Sequence, residues 1–247
     1  MAADVRRFDA VVFDLFGTLV HEFRSADWDA WFDGAARALG ADPVLFRRAW
    51  EETSVERQTG RLGDMEQNVR AICGRMGVRP SAEQVAEVLE IRMELYRKWF
   101  VATPGALATL RCLRAGGYPT ALISMCAPDT PALWRASPLA GLIDVAVFSS
   151  EVGLRKPEPE IYLHACERLG VEPAACLYVG DGSYGELSGA AALGMRAVLV
   201  LDPAVDLRTI HRPEAEEWAG SRIASLVEVP RLLHGAGHPA ASDAGGP

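Results

Sequence analysis

The sequence contains a series of short apolar runs, each followed by a polar turn and a segment with helical spacing. The first run covers residues 11–13 and stops at Asp14. A continuous apolar run of this length is typical of a strand buried on both faces of a parallel sheet. Four more strands are predicted, at 119–123, 144–148, 176–179 and 197–201. Strands that alternate with helices in this way form right-handed βαβ units, so the sequence predicts an α/β fold with a parallel sheet.

A different pattern interrupts the strands. Apolar residues recur at helix spacing throughout 20–99, and no segment there has the pattern of a strand. We therefore predict an inserted α-helical domain at 20–99 and an α/β domain built from 1–19 and 100–233. The residues beyond 233 are mostly Gly, Ala, Pro and Ser, which predicts a disordered tail over 234–247.

Four polar residues fall at, or just after, the carboxyl ends of predicted strands or in the loops that follow: Asp14, Ser124, Lys156 and Asp181. Because a parallel sheet brings those ends to one edge, we expect the four side chains to lie together. In their order and surroundings they resemble the four motifs of the haloacid dehalogenase-like (HAD) hydrolase superfamily, in its helical-cap subgroup. The resemblance runs from about residue 9 to about residue 200. It implies a Rossmann-like parallel-sheet core with a mobile cap domain at the insertion.

The resemblance also implies a role for each motif residue. Asp14 is the implied nucleophile, which forms a covalent intermediate that water then cleaves. Ser124 is implied to hydrogen-bond the transferring group, and Lys156 to offset the negative charge of the nucleophile and the substrate. A specific role for Lys156 is favoured because this Arg-rich chain has only one other lysine, Lys98. Three neighbours of the first two motifs are expected to contact the substrate: Gly17, Thr18 and Met125.

The fourth motif indicates a metal ion. Asp181 follows a predicted buried strand, and Glu186 comes five residues later. Mg²⁺ prefers one or two carboxylates together with water and substrate oxygens. Two facing carboxylates without a cation would repel each other strongly, so Asp14 together with Asp181 indicates Mg²⁺. The resemblance implies that the backbone carbonyl of Phe16 completes the metal site and that Glu186 acts through water.

Phe16 is also where the chain departs from the phosphatase pattern. Phosphatases of the superfamily usually have a second Asp two residues after the first, which protonates the leaving group. A bulky aromatic residue there is instead a dehalogenase feature, whereas Asp181 belongs to the phosphatase version of the fourth motif. The predicted function is a Mg²⁺-dependent phosphatase that acts on a small phosphorylated metabolite through an aspartyl-enzyme intermediate. Two alternatives stay open, a 2-haloacid dehalogenase-type hydrolase and a catalytically weak binding or regulatory protein of the same fold.

The sequence offers several candidates for two further roles, the general acid and an arginine that binds a substrate carboxylate. The acid that Phe16 cannot supply could be His21, Glu22 or Asp129. A dehalogenase would need an arginine to hold the substrate carboxylate, and Arg47 and Arg48 lie at a suitable distance into the insertion.

Composition narrows the range of partners. The net charge of -8 argues against a nucleic-acid partner. A small anionic substrate is still compatible, because the field inside a cleft can oppose the net charge. No apolar run is long enough to span a bilayer, so no membrane partner is expected. The five scattered cysteines fit a reducing compartment, and the expected location is cytoplasmic. Substrate identity and a homo-oligomeric state stay open.

Overall fold

The centre of the fold is a six-stranded sheet, seen in a computed structural model that describes residues 6–202 and 212–234. Its strands are β1 (Ala10–Phe13), β2 (Thr120–Ser124), β3 (Val145–Phe148), β4 (Cys176–Gly180), β5 (Arg196–Val200) and β6 (Ser221–Ile223). They lie in the order β3-β2-β1-β4-β5-β6, and every neighbouring pair is parallel. The α/β class and all five predicted strands are confirmed. The short edge strand β6 was not predicted.

The order of the strands positions the site. Every residue of β1 and β4 is buried, as expected for central strands with helices on both faces. The chain leaves β1 towards β2 on one side and later returns to β4 on the other side. The carboxyl ends of β1, β2 and β4 therefore adjoin at a topological switch point, which is where open α/β sheets bind their ligands.

Six helices lie between β1 and β2 in the described residues, and we call the first five the helical bundle: α1 (Ser25–Leu39), α2 (Pro43–Glu52), α3 (Ser54–Gln58), α4 (Met65–Arg75) and α5 (Ala82–Trp99). The bundle has an aromatic core, in which the Trp31 ring lies 4.5 Å from Trp50 and 5.8 Å from Phe46. Capping boxes open α4 and α5. No strand occurs among described residues 24–99, as the pattern predicts. That the bundle is a separate domain with boundaries at 20 and 99 stays a prediction.

In the part of the chain that the structure describes, seven more helices flank the sheet: α6 (Ala106–Ala115), α7 (Thr130–Ala136), α8 (Ser149–Val152), α9 (Pro159–Leu169), α10 (Glu186–Ala192), α11 (Pro213–Glu217) and α12 (Val229–Leu232). They cover both faces of the sheet. Val11 and Phe13 belong to one apolar cluster and Ala10 and Val12 to the other, which follows from the alternation of side chains along a strand.

The disordered tail over 234–247 stays a prediction. The predicted disordered tail lies outside the described residues from position 235 onwards, and His234 forms an isolated antiparallel bridge with Arg6. None of the described helices has the length and apolar character needed to cross a bilayer.

Candidate active site

Asp14 lies just beyond β1, where its backbone N–H donates to the carbonyl of Val179 at 3.0 Å. Its side chain is 8% exposed. Oδ1 accepts a hydrogen bond from Nζ of Lys156 at 2.6 Å, whereas Oδ2 is buried without a hydrogen-bond partner. Burial, helped by the charge of Glu186, raises the pKa of Asp14 to about 6 against the opposing effect of Lys156. The carboxyl is therefore mostly ionised at neutral pH and keeps one oxygen free to act as a nucleophile.

Lys156 connects two carboxylates. It is 1% exposed, and its Nζ lies 2.6 Å from Asp14 Oδ1 and 2.5 Å from Glu186 Oε2. Burial alone would lower the pKa of Lys156, but the charges of Asp14 and Glu186 raise it above the ordinary value. Glu186 is held in turn by the hydroxyl of Tyr178, which donates to Oε2 at 2.7 Å, and by the N–H of Gly182, which donates to Oε1 at 3.1 Å. The ammonium charge is thus held beside the carboxylate of Asp14.

Asp181, directly after β4, is the second carboxylate of the site. Its Oδ1 accepts the N–H of Ser183 at 2.8 Å, and its Oδ2 lies 2.8 Å from Nη2 of Arg212. Arg212 is buried and also forms an ion pair with Glu22. Burial is the main cause that raises the pKa of Asp181 to about 6, with the charges of Asp14 and Glu22 added and that of Arg212 opposed.

Gly17 makes the close approach of these groups possible. Its φ is 79°, and a Cβ at this position would lie 2.2 Å from Asp181 Oδ2. The N–H of Gly17 donates to the carbonyl of Val20 at 2.8 Å, so it is engaged within the turn. Any side chain here would push the first motif away from Asp181.

The carboxylates of Asp14, Asp181 and Glu186 form an acidic cluster whose ligand atoms lie within 4.8 Å of one another. They supply three negative charges, against the positive charges of Lys156 and of Arg212, which also pairs with Glu22. The raised pKa values of Asp14 and Asp181 are consistent with this excess of negative charge. Within the described residues the carbonyl oxygen of Phe16 accepts no hydrogen bond. Charge and donor atoms therefore fit a divalent cation such as Mg²⁺.

Two buried hydroxyls have no hydrogen-bond partner, those of Ser124 and Thr18. Ser124 ends β2 and is fully buried, and Thr18 is 1% exposed. The next residue after β2, Met125, accepts the backbone N–H of Lys156 through its sulfur at 3.3 Å. Because buried polar atoms are nearly always paired, the two hydroxyls are candidates for contact with a bound ligand.

A cavity of about 830 Å³ opens between the acidic cluster and the helical bundle. We call it the active-site cavity. Asp14, Phe16 and Met125 line it from the core, whereas Ser124, Thr18, Lys156 and Asp181 do not reach its surface. The Phe16 ring packs against three aromatic rings, with centroid distances of 5.3 Å to Phe23, 5.9 Å to Phe100 and 6.2 Å to Tyr96.

The structure separates the three candidates for the missing acid. Glu22 lines the active-site cavity, and burial raises its pKa despite the charge of Arg212. Asp129 is bound by Arg92, with 2.5 Å between Nε and Oδ2. His21 packs its ring at 6.5 Å from Trp99. Glu22 is therefore the candidate in the best position.

The two arginine candidates are wrong. Arg47 pairs with Asp29, and Arg48, whose side chain is 75% exposed, pairs with Glu52 one helical turn away. Neither lines the active-site cavity. Sequence distance placed them in the bundle, but surface carboxylates hold both on its outside. The arginines that do line the cavity are Arg57 and Arg92.

Comparison with known proteins agrees with this geometry. The family model of haloacid dehalogenase-like hydrolases matches residues 8–194. The chain therefore belongs to the haloacid dehalogenase-like hydrolase family. The family expected from the motifs, the Rossmann-like α/β fold and the hydrolase class are confirmed.

Relatives of both reaction types are found. (S)-2-haloacid dehalogenase 1 of a Pseudomonas species is 31% identical over 135 residues, which cover 53% of this chain and 56% of the relative. Phosphoglycolate phosphatase of Nitrosospira multiformis is 31% identical over 169 residues, which cover 66% and 72%. A dehalogenase crystal structure with an intermediate complex aligns with a TM-score of 0.62 at 26% identity, over 94% of this chain and 99% of that one. The choice between the two reactions therefore depends on the site itself.

Proposed function

We propose that this hydrolase is a Mg²⁺-dependent phosphatase that acts on a small, anionic phosphate monoester through Asp14. The observation that carries the proposal is the pairing of a nucleophile that has one free oxygen with a second buried carboxylate, Asp181, in an acidic cluster with excess negative charge. A dehalogenation site has no need of that second carboxylate. The proposed location is the cytoplasm, which is supported by five cysteines that are all free thiols.

In the proposed reaction, Oδ2 of Asp14 attacks phosphorus, and the bond from phosphorus to the ester oxygen breaks. The departing oxygen takes up a proton and leaves as an alcohol. Water then cleaves the aspartyl phosphate, which restores Asp14 and releases inorganic phosphate. Lys156 holds the other oxygen of Asp14 and offsets the charge of the phosphoryl group. The hydroxyls of Ser124 and Thr18 have no partner and are proposed to hydrogen-bond the phosphoryl oxygens; because both lie below the cavity surface, these bonds require the site to open slightly around the ligand.

The proposed ligands of Mg²⁺ are Asp14, Asp181 and the backbone carbonyl of Phe16. Glu186 is proposed to interact with the ion indirectly, through water. A bound Mg²⁺ would stabilise the negative charge that develops on the transferring group. Glu186 is already engaged by Lys156, Tyr178 and Gly182, which suits an indirect role. Arg212 forms an ion pair with Oδ2 of Asp181, so Mg²⁺ would have to share this oxygen with the guanidinium group or displace it.

The proton for the leaving group is proposed to come from Glu22, since Phe16 has no proton to give. Glu22 lines the same cavity as Asp14 and has a raised pKa, so it retains its proton to a higher pH than an exposed glutamate. General acid catalysis from this position would replace what the superfamily obtains from its second Asp.

Dehalogenation is the second candidate. Phe16 is packed among aromatic rings as part of the cavity wall, and Arg212 already supplies a positive charge to Asp181. In that reaction Asp14 would displace halide from carbon. We rank it second because the remaining negative charge of the cluster has no purpose there. A binding or regulatory role stays the third candidate.

Replacing the proposed nucleophile tests the function. In Asp14→Asn, release of phosphate from 4-nitrophenyl phosphate in the presence of Mg²⁺ should fall by at least about 10³-fold, because no covalent intermediate can form. Asp29→Asn, which changes a surface carboxylate paired with Arg47, is the matched control and should keep the parent rate. Parent activity in a folded Asp14→Asn protein would overturn the assignment of the nucleophile.

A further inference from the structure

The wall that the helical bundle contributes to the active-site cavity contains two buried arginines. Arg57 in α3 is 5% exposed and Arg92 in α5 is 2% exposed. Cations are rarely buried to this extent unless an anion pairs with them. The partners of the two guanidinium groups therefore decide what this wall can bind.

Arg57 has neutral partners only. Its Nε donates to the hydroxyl of Thr53 at 3.2 Å, and its Nη2 donates to the carbonyl of Trp50 at 2.8 Å. The guanidinium lies 3.8 Å from the centre of the Trp50 ring. Among the described residues no carboxylate forms an ion pair with Arg57, and its Nη1 donates to no acceptor. Burial, helped by the charge of Arg92, lowers the pKa of Arg57 to about 9, so it is still a cation at neutral pH.

Arg92 takes the nearby carboxylate. Its Nε lies 2.5 Å from Asp129 Oδ2, and its Nη2 donates to Oδ1 at 3.3 Å. Nη1 of Arg92 is buried without a hydrogen-bond partner. The one carboxylate beside the two guanidinium groups thus pairs with Arg92 alone, and a net positive charge remains in the wall of the cavity.

The other acidic residues of the cavity do not cancel this charge. Glu22 pairs with Arg212, and Glu214 accepts the backbone N–H groups of Leu187 and Ser188. Glu51 is exposed and forms no ion pair with Arg57 among the described residues. A buried charge without a partner is costly, so an anion from outside the chain would be bound favourably at this wall.

We propose that Arg57, with Arg92 beside it, binds a carboxylate on the part of the substrate that does not react. A single negative charge matches the net positive charge of the pair, and a planar carboxylate matches the donor geometry of a guanidinium. Asp14 and both arginines line one cavity, so one molecule can reach the nucleophile and this subsite together. Aromatic rings of Phe16 and Trp50 also line the cavity and suit an apolar middle part. That the substrate is a phosphate ester rests on the proposed function, whereas the carboxylate subsite does not.

Binding of two matched ligands tests the subsite. The ligands are 4-carboxyphenyl phosphate and 4-carbamoylphenyl phosphate, which have nearly the same shape and differ by one negative charge. Calorimetric titration of the Asp14→Asn protein, in which the ester is not turned over, should give at least about tenfold tighter binding of the carboxylate, because charge-assisted hydrogen bonds are the strong ones. Adding Arg57→Gln should remove this preference. Arg57→Lys should keep part of it, and Arg48→Gln, on the outside of the bundle, should keep all of it.

The preference within one protein is the readout, so a general loss of stability does not imitate the result. Equal binding of the two ligands by the Asp14→Asn protein would overturn the subsite, as would an unchanged preference in Arg57→Gln. If Arg57→Gln does not fold, Arg57→Lys is the test, because it moves the positive charge and removes the guanidinium geometry. An undiminished preference for the carboxylate ligand in Arg57→Lys would also overturn the proposal. Phosphate release from both esters by the parent, without a preference, would reject the subsite and keep the phosphatase. A binding preference without any phosphate release would do the reverse.

Discussion

The position of Phe16 explains how this site can lack the usual acid. The side chain contributes to the aromatic wall with Phe23, Tyr96 and Phe100, so its substitution serves packing. Glu22, on the cavity surface, has the raised pKa that an acid needs. The proposed proton donor is therefore Glu22 and not residue 16, the second position after Asp14.

If Glu22 is the general acid, the loss of turnover on removing it should depend on the leaving group of the ester. In Glu22→Gln, turnover of alkyl phosphates should fall by on the order of 10²-fold, because their poor leaving groups need a proton. Turnover of 4-nitrophenyl phosphate should change little, since nitrophenolate leaves without one. Glu51→Gln, which changes another carboxylate of the cavity, is the control in steady-state assays. Equal losses for both kinds of ester would show that Glu22 has a different role.

At this scale the sequence predicted the residues that belong to motifs. Lys156 forms hydrogen bonds with Asp14 and Glu186, and Asp181 lies with these two carboxylates in the acidic cluster. The places after strands indicated Asp14, Lys156 and Asp181, whereas the resemblance indicated Glu186. Arg57 and Arg212 were missed. Arginine is the common cation of this chain, and nothing in the sequence distinguishes a buried one from the many on the surface.

Among the elements, the turn after β1 determines the geometry of the site most strictly. It brings Asp14 and Asp181 together only because residue 17 has no side chain. Helix starts were predictable from their capping patterns, as at Ser81 and Gln84, because the signal is local. β6 was not, since its three residues include only one buried apolar side chain, Ile223.

The turn can be tested with a matched pair of glycines. Gly17 and Gly40 both have a positive φ, but a Cβ on Gly40 would meet nothing within 4 Å. Gly40→Ala should therefore lower the free energy of unfolding by about 1 kcal/mol, because alanine is strained in a left-handed backbone conformation even where its methyl group has room. Gly17→Ala should lower it by at least about 2 kcal/mol more, because the new methyl group collides with Asp181. Urea unfolding measures both, and equal losses would contradict the close approach.

For the whole molecule, the result is a catalytic core and a cavity wall that come from different parts of the chain. The sequence predicted the sheet and the helical insertion, because hydrophobic periodicity carries both. It could not predict which side chains of the bundle face Asp14 across the cavity. That depends on how α1 to α5 pack against the ends of the strands, as the contrast between Arg47 and Arg57 demonstrates.

The buried carboxylates also predict how the stability of the fold changes with pH. Burial raises the pKa of Asp181 from 3.8 to about 6, so the folded chain binds this proton more tightly than the unfolded chain does. Its contribution to stability is full below about pH 4 and is lost as pH rises towards 6. Asp14 shows the same direction.

Comparison of the parent with Asp181→Asn separates the contribution of the Asp181 carboxyl to the free energy of unfolding from the contributions of the other titratable groups. Without divalent ions, the unfolding free energy of the parent minus that of the variant should decrease between pH 4 and 6. Added Mg²⁺ at neutral pH should then raise the stability of the parent more than that of the variant. A difference that is constant over this range would contradict the buried, charge-rich site.

The most direct test of the central claim is product release by the purified chain over panels of phosphate monoesters and 2-haloacids, each with Mg²⁺ and with a chelator. A phosphatase that works through Asp14 and a metal bound at the acidic cluster predicts inorganic phosphate in the presence of Mg²⁺ and none in chelator. Halide released in chelator would contradict this account and make the chain a dehalogenase, with Arg212 in the place of the metal.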